Sequence, residues 1–253
     1  MSIDLKKAKE EFIKYTENYD LKNARIKGKQ EHSLRVMETS KQIAEGLRLP
    51  QEEIELATLI GLLHDIARFE QFTQYHTYKD MESFDHGDYA VTILEKDLRK
   101  YIETDRYDDI IKKAVKYHNK YKIPEGLTEK EELFAKIVRD ADKLDILYES
   151  VVMFWVGKEG QVEESKISQG TLEQFKNYVQ IKTRKDESKI DDVIKVIAFI
   201  FDMNFKSSFQ ILKKEDYINK ILDRYNLKDE YTKKAVDEIR KIANDYVERQ
   251  AQC

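Results

Sequence analysis

The chain has 253 residues, with 45 Lys and Arg against 49 Asp and Glu, for a formal net charge of −4. That balance excludes a protein that grips a nucleic-acid duplex by charge alone, because phosphate-backbone binding calls for a basic surplus or stripe. Hydrophobic residues at 41% beside charged residues at 37% supply a core under a charged surface, which excludes wholesale disorder.

Residues 1–7 lack the apolar stretch of a signal peptide, and no run reaches the roughly 18 apolar residues of a membrane span, so a cytoplasmic protein without membrane contact is expected. Two prolines and 8 glycines punctuate the chain, and apolar residues recur at spacings of three and four, which predicts an all-α fold. The first helices are predicted over about 3–18 and 31–47. Pro50 opens the next, carrying Ile54, Ala57, Leu59, Ile60 and Leu63, since proline suits a first helical turn whose N–H has no intrahelical partner. Helices at about 86–100 and 108–120 follow. Thr128-Glu129-Lys130-Glu131 is a capping box that starts a helix with Leu133, Phe134, Ile137, Val138, Ala141, Leu144 and Leu147 on one stripe. Gly157-Lys158-Glu159-Gly160 reads as a loop, and further helices fall at about 171–182, 189–212, 215–225 and 229–250. The charged run 182–189 reads as a solvated helix end or loop. Residues 190–209 are apolar almost all round, which predicts burial or a contact between copies in a homo-oligomer. With no Pro/Gly/Ser-rich linker, the expectation is a single domain over 1–253, with a core over about 25–150 and a helical extension over 151–253. The one cysteine, Cys253, has no partner for an intrachain disulfide and makes a poor nucleophile in a frayed tail.

Four of the five histidines keep phase with apolar stripes. His32 is in step with Val36 and Ile43, His64 with Ala57 and Ile60, His86 with Ala90, Ile93 and Leu94, and His118 with Ile111, Ala114 and Val115. All four are predicted to point inwards. One such ring reads as a core histidine with a hydrogen-bond partner; four, with carboxylates near them, point to a divalent metal. Asp65 adjoins His64 at a helix end, where neighbouring side chains converge, and Asp142 borders the buried stripe. Coordination would remove the cost of burying either carboxylate. Asp140 and Asp145 read as solvated or paired with Arg139 or Lys143. His76 is out of phase and reads as loop or rim.

The order His32, then Leu62-Leu63-His64-Asp65-Ile66-Ala67-Arg68, then Arg139-Asp140-Ala141-Asp142-Lys143-Leu144-Asp145 resembles the HD superfamily of metal-dependent phosphohydrolases. That family's pattern is a histidine, a His-Asp doublet and a distal aspartate. The resemblance covers about residues 25–150 and implies that His32, His64, Asp65 and Asp142 ligate one metal. Some members hold a second ion with two intervening histidines and a bridging aspartate, and Asp85-His86-Gly87 and Tyr117-His118-Asn119 stand where those would be. The other reading has His86 and His118 lining the pocket, binding phosphate or protonating a leaving group. The Gly-Tyr-Pro motif of the cyclic di-nucleotide phosphodiesterase branch is absent from the sequence.

Imidazole and carboxylate donors suit Mn²⁺, Fe²⁺, Co²⁺, Ni²⁺ or Zn²⁺, with Mg²⁺ also in range, as one or two ions. Such an ion activates water and polarises a phosphoryl oxygen, so the expected reaction is hydrolysis of a phosphate ester or anhydride. The catalytic candidates are Asp65, His86, His118, Lys143 and Arg68. Lys120 and Lys122 are further cations near the ligands, and Glu70 and Asp85 further candidates for the acid. Phe72, Tyr75, Tyr78 and Phe84 crowd the stretch 72–86, either as a lid that stacks on a base or as cover for the core. The expected substrate is a small phosphorylated metabolite, a nucleotide foremost. The alternatives are phosphodiester cleavage in a cyclic or oligonucleotide substrate, and a non-catalytic helical regulatory module with a structural metal.

Overall fold

In a computed structural model that describes residues 3–152, 158–182 and 187–252, regular structure among the described residues is helical throughout. The chain divides into two units, Met1–Asp142 and Lys143–Cys253.

In the first unit, α1 (Leu5–Thr16) and α2 (Ala24–Gly46) are each started by a side chain that accepts an otherwise unpaired N–H, Asp4 from Lys7 and Asn23 from Arg25. Pro50 stands one residue ahead of α3 (Gln51–Leu63), with extended backbone and its carbonyl accepting from Ile54 N at 3.0 Å. A short α4 (Arg68–Tyr75) and a 3₁₀ turn over Asp80–Glu82 follow. α5 (His86–Tyr101) is capped by Asp85, and α6 (Asp108–Tyr117) leads to α7 (Glu129–Val152), of which residues 129–142 belong to this unit. Both halves of the α7 capping box form, Glu131 N to Thr128 Oγ1 at 3.3 Å and Thr128 N to Glu131 Oε2 at 2.9 Å. Val36, Ile43, Leu59, Leu62, Leu63, Phe69, Leu94, Ile111 and Val138 lie wholly inside this unit.

Two helix contacts are so close that only glycine fits. A Cβ on Gly61 of α3 would lie 2.5 Å from Ser40 Oγ and 2.8 Å from Val36 O of α2. A Cβ on Gly87 of α5 would lie 2.6 Å from both Lys116 O and Asn119 Oδ1, at the end of α6. The missing side chains let α3 lie on α2 and the start of α5 lie on the end of α6.

The stretch 72–86 begins on α4, where Phe69 and Phe72, three apart, are both buried. His76 ends that helix in the left-handed region, φ 54°, and is exposed.

In the second unit, Glu159 and Gly160, expected in a loop, open α8 (Glu159–Glu163); Gly157 lies outside the described residues. α9 is Gln169–Lys176, and α10 is Lys189–Ile197 with a Ser188/Asp191 capping box. The helix expected over 189–212 is interrupted: a 3₁₀ segment over Ala198–Asp202 and extended Met203 separate α10 from α11 (Lys206–Glu215). Ile190, Ile194 and Ile197 of α10, Ile200 of the 3₁₀ segment and Phe209 of α11 are all buried in the unit's interior. α12 (Tyr217–Leu222) and α13 (Glu230–Gln252) complete the unit. Within the run 182–189, Lys182 is exposed and Lys189 opens α10, and 183–186 lie outside the described residues, as does Cys253. Among the described residues no helix is long and apolar enough to cross a membrane.

Candidate metal centre

His32 lies within α2, His64 caps α3 with Asp65 directly after it, His86 is the first residue of α5, His118 caps α6, and Asp142 lies on α7. The four histidines and Asp65 are buried; Asp142 keeps 18% of its side chain exposed. His32 Nε2 is 3.2 Å from His64 Nε2 and 3.2 Å from Asp142 Oδ1. His86 Nε2 is 3.1 Å from His118 Nε2. Asp65 stands between the two pairs. Its Oδ2 is 3.5 Å from His32 Nε2 and 3.6 Å from His64 Nε2, and its Oδ1 is 3.4 Å from Nε2 of both His86 and His118.

The remaining ring nitrogens settle the tautomers. His64 Nδ1 is 2.8 Å from Gly61 O and His118 Nδ1 is 2.6 Å from Val115 O; a carbonyl only accepts, so each Nδ1 carries the proton. His86 Nδ1 donates to the Asp80 carboxylate at 2.7 Å. In their neutral forms His86 and His118 therefore turn bare Nε2 lone pairs towards each other, with no proton to share. A cation relieves that opposition, and a ring N–H anchored on a carbonyl or carboxylate is how metal-binding imidazoles are oriented. The ligand atoms of His32, His64 and Asp142 lie within 4.8 Å of one another, as do those of His64, Asp65 and His118. The donor set fits a divalent ion.

Protonation states agree. Burial alone would raise the Asp65 carboxyl, but the positive charges of Lys29 and Arg68 beside it hold it well below the usual carboxylate range. Asp142 is held low too, with a hydrogen bond from His32 outweighing burial. Burial lowers His64, and it pushes His86 down to about 4 against the opposing bond to Asp80. Ionised carboxylates beside neutral imidazoles are the forms that ligate metal.

Arg68 opens α4 beside this cluster, with Nε 3.4 Å from Asp65 Oδ1 and NH1 donating to Asp80 Oδ1 at 3.0 Å and to Tyr78 O at 2.7 Å. Lys143 is buried and pairs with Asp202 at 2.8 Å within the second unit. Lys120 pairs with Asp85 and with Asp88, and Lys122 is exposed. Glu70 accepts from Tyr19 OH and Gln74, and Asp85 from Asp88 N and Asn119. Asp140 and Asp145, expected to be solvated or paired with Arg139 or Lys143, are buried, which excludes the solvated alternative. Arg139 is buried too, its NH1 donating to the carbonyls of Tyr117 and His118 at 3.0 Å each and so closing the end of α6. Among the aromatics, the Phe72 and Tyr78 rings lie 5.0 Å apart and those of Phe84 and Tyr89 4.3 Å apart.

Four neighbours of the cluster escaped the sequence reading. Lys29 Nζ lies 3.0 Å from Asp65 Oδ2, and its place three residues before His32 on one helix was the available signal. Asp80, Gln71 and Asn119 join around His86, from a 3₁₀ turn, from within α4 and from just past α6, places that no periodicity connects.

Residues 30–147 match the family model of the HD domain. No curated protein and no solved structure matches the chain. The matched segment contains His32, His64, Asp65, His86, His118 and Asp142, all on helices or at their ends, and residues 30–147 of this chain are an HD domain, the domain of a superfamily of metal-dependent phosphohydrolases.

Proposed function

We propose that the chain is a phosphohydrolase that cleaves a phosphate ester or anhydride in a small phosphorylated metabolite, a nucleotide foremost. The observation that carries this is Asp65, whose two carboxylate oxygens face two separate pairs of histidines. On this reading His32, His64, Asp142 and Asp65 Oδ2 hold one divalent ion, and His86, His118 and Asp65 Oδ1 hold a second. The chemistry supplied by ions held there is activation of a water, polarisation of a phosphoryl oxygen and neutralisation of the leaving oxygen.

The chain's own groups do the positioning. Arg68 is anchored through NH1, while its buried Nε makes no hydrogen bond and lies beside Asp65, well set to meet charge on a phosphoryl group. Lys29, one-fifth exposed, offers a second cation at the same carboxylate. Lys29 Nζ and the Arg68 guanidinium lie 5.6 and 5.7 Å from the Tyr78 ring centroid. Two cations beside one carboxylate suit a phosphate group.

The test is incubation with Mn²⁺ and a panel of nucleoside mono-, di- and triphosphates and cyclic dinucleotides beside Asp65→Ala, with products separated by chromatography. Products from the wild type that the mutant fails to make are expected. Silence across the panel from protein shown to bind metal would discard the nucleotide reading.

A further inference from the structure

Asp80 lies outside the His-Asp pattern, in the 3₁₀ turn between α4 and α5, yet four donors from three directions converge on its carboxylate. His86 Nδ1 donates at 2.7 Å, Arg68 NH1 at 3.0 Å and Gln71 Nε2 at 2.9 Å, both of the latter to Oδ1, and Asn119 Nδ2 donates to Oδ2 at 3.1 Å. Gln71 is fully buried, and its Nε2 also donates to Ser83 Oγ at 2.8 Å and Phe84 O at 3.0 Å, which ties the turn to α4. Asn119 Nδ2 also reaches Asp85 Oδ1, the cap of α5, at 3.0 Å. The carboxylate is thus fixed by three partners before it meets His86.

His86 differs from His64 and His118 in one respect. Those two rings are oriented by carbonyls of their own helices, three residues back, because each stands at a helix C-terminus where such carbonyls are free. His86 is the first residue of its helix and has no preceding turn to bond to. Its orientation must come from elsewhere in the fold. We propose that Asp80 is the positioning residue of the centre, holding His86 as the Nδ1–H tautomer so that its bare Nε2 points at His118 and Asp65, with Arg68, Gln71 and Asn119 holding Asp80 in turn. The consequence for metal affinity rests on the two-ion reading above; the tautomer does not.

Two variants separate positioning from simple structural support. Asp80→Ala removes the acceptor for His86, whereas Asp80→Asn keeps an oxygen acceptor and removes the negative charge that pairs with Arg68. Long-range ¹H–¹⁵N NMR of the metal-free wild type is expected to show His86 protonated at Nδ1. Asp80→Ala is expected to shift the ring towards a tautomer mixture, and Asp80→Asn to stay close to wild type. In Mn²⁺ titrations, Asp80→Ala should weaken one of two sites by about 10- to 100-fold, the usual effect of losing a partner behind a ligand, and Asp80→Asn by much less. His86 protonated at Nε2 in the wild type, an unchanged tautomer in Asp80→Ala, or equal effects of the two substitutions would each overturn the proposal, the last by assigning Asp80 to the Arg68 ion pair. A wild type that binds a single Mn²⁺ with His86 still an Nδ1–H tautomer would sink the two-ion reading while the positioning role stands. Should Asp80→Ala fail to fold, the wild-type tautomer and the Asp80→Asn spectrum decide the matter.

Discussion

His86 and His118 meet Nε2 to Nε2 at 3.1 Å while each ring commits its Nδ1–H elsewhere, to Asp80 and to Val115 O. Without a cation this arrangement sets two lone pairs against each other in a buried place. The metal-free protein therefore holds unfavourable electrostatics that a bound ion converts into stability. Adding Mn²⁺ at about 100 times its dissociation constant should stabilise the fold by about 2.7 kcal/mol per site. For a chain of this size that is a rise in Tm of about 5–10 °C, reversed by a chelator and read by calorimetry. His118→Ala should keep only part of the rise.

Acidification should act on the metal-free protein in a defined window. His86 is held near pH 4 in the fold, against about 6.5 for a free imidazole, so between these values the unfolded chain binds the extra proton and the folded chain does not. Stability is therefore full above about pH 6.5 and declines as pH falls towards 4. Asp65 and Asp142, held below their ordinary range, add a loss that begins only under about pH 3.8. Urea midpoints between pH 7 and 4 should fall in the metal-free protein, and His86→Gln should flatten that fall.

The glycine contacts are open to a paired test. Gly87→Ala places a methyl 2.6 Å from the Lys116 carbonyl, a backbone atom that cannot turn aside, and should cost about 1–3 kcal/mol. It should also part His86 from His118 and weaken Mn²⁺ binding. Gly160→Ala, on the short helix α8 with nothing within 4 Å of its Cβ, should be neutral or gain about 0.5 kcal/mol. Equal melting temperatures for the two variants would refute the packing argument.

Lys29→Met keeps the length of the side chain and removes the cation beside Asp65. If Lys29 contacts the substrate phosphate, KM should rise by about tenfold with a smaller change in kcat, the pattern of lost ground-state binding. An unchanged KM would confine Lys29 to neutralising the carboxylate.

Much of this was legible in the chain. Caps at Thr128 and the apolar stripes announced the helices, and the phase of His32, His64, His86 and His118 put all four rings inside. What escaped depended on contacts rather than period. α4 has eight residues, too few for a repeat to stand out, and the run 190–209 reads as one helix because every face is apolar. Arg139 reads as a partner for a neighbouring aspartate until the end of α6 is known to need a donor. Asp80 sits in a turn with no pattern around it, and only the fold shows four donors aimed at it.

The spacing of the histidines has a bearing on how the protein reaches its native state. His32 and His64 are 32 residues apart, as are His86 and His118, and each pair is joined by the contact of two helices that a glycine permits. Closing either pair takes only a short loop. Asp142 must close on His32 across a loop more than three times longer, at an added entropic cost of roughly 1 kcal/mol. Asp142 lies on α7, so the full cluster exists only in a chain whose seventh helix has docked.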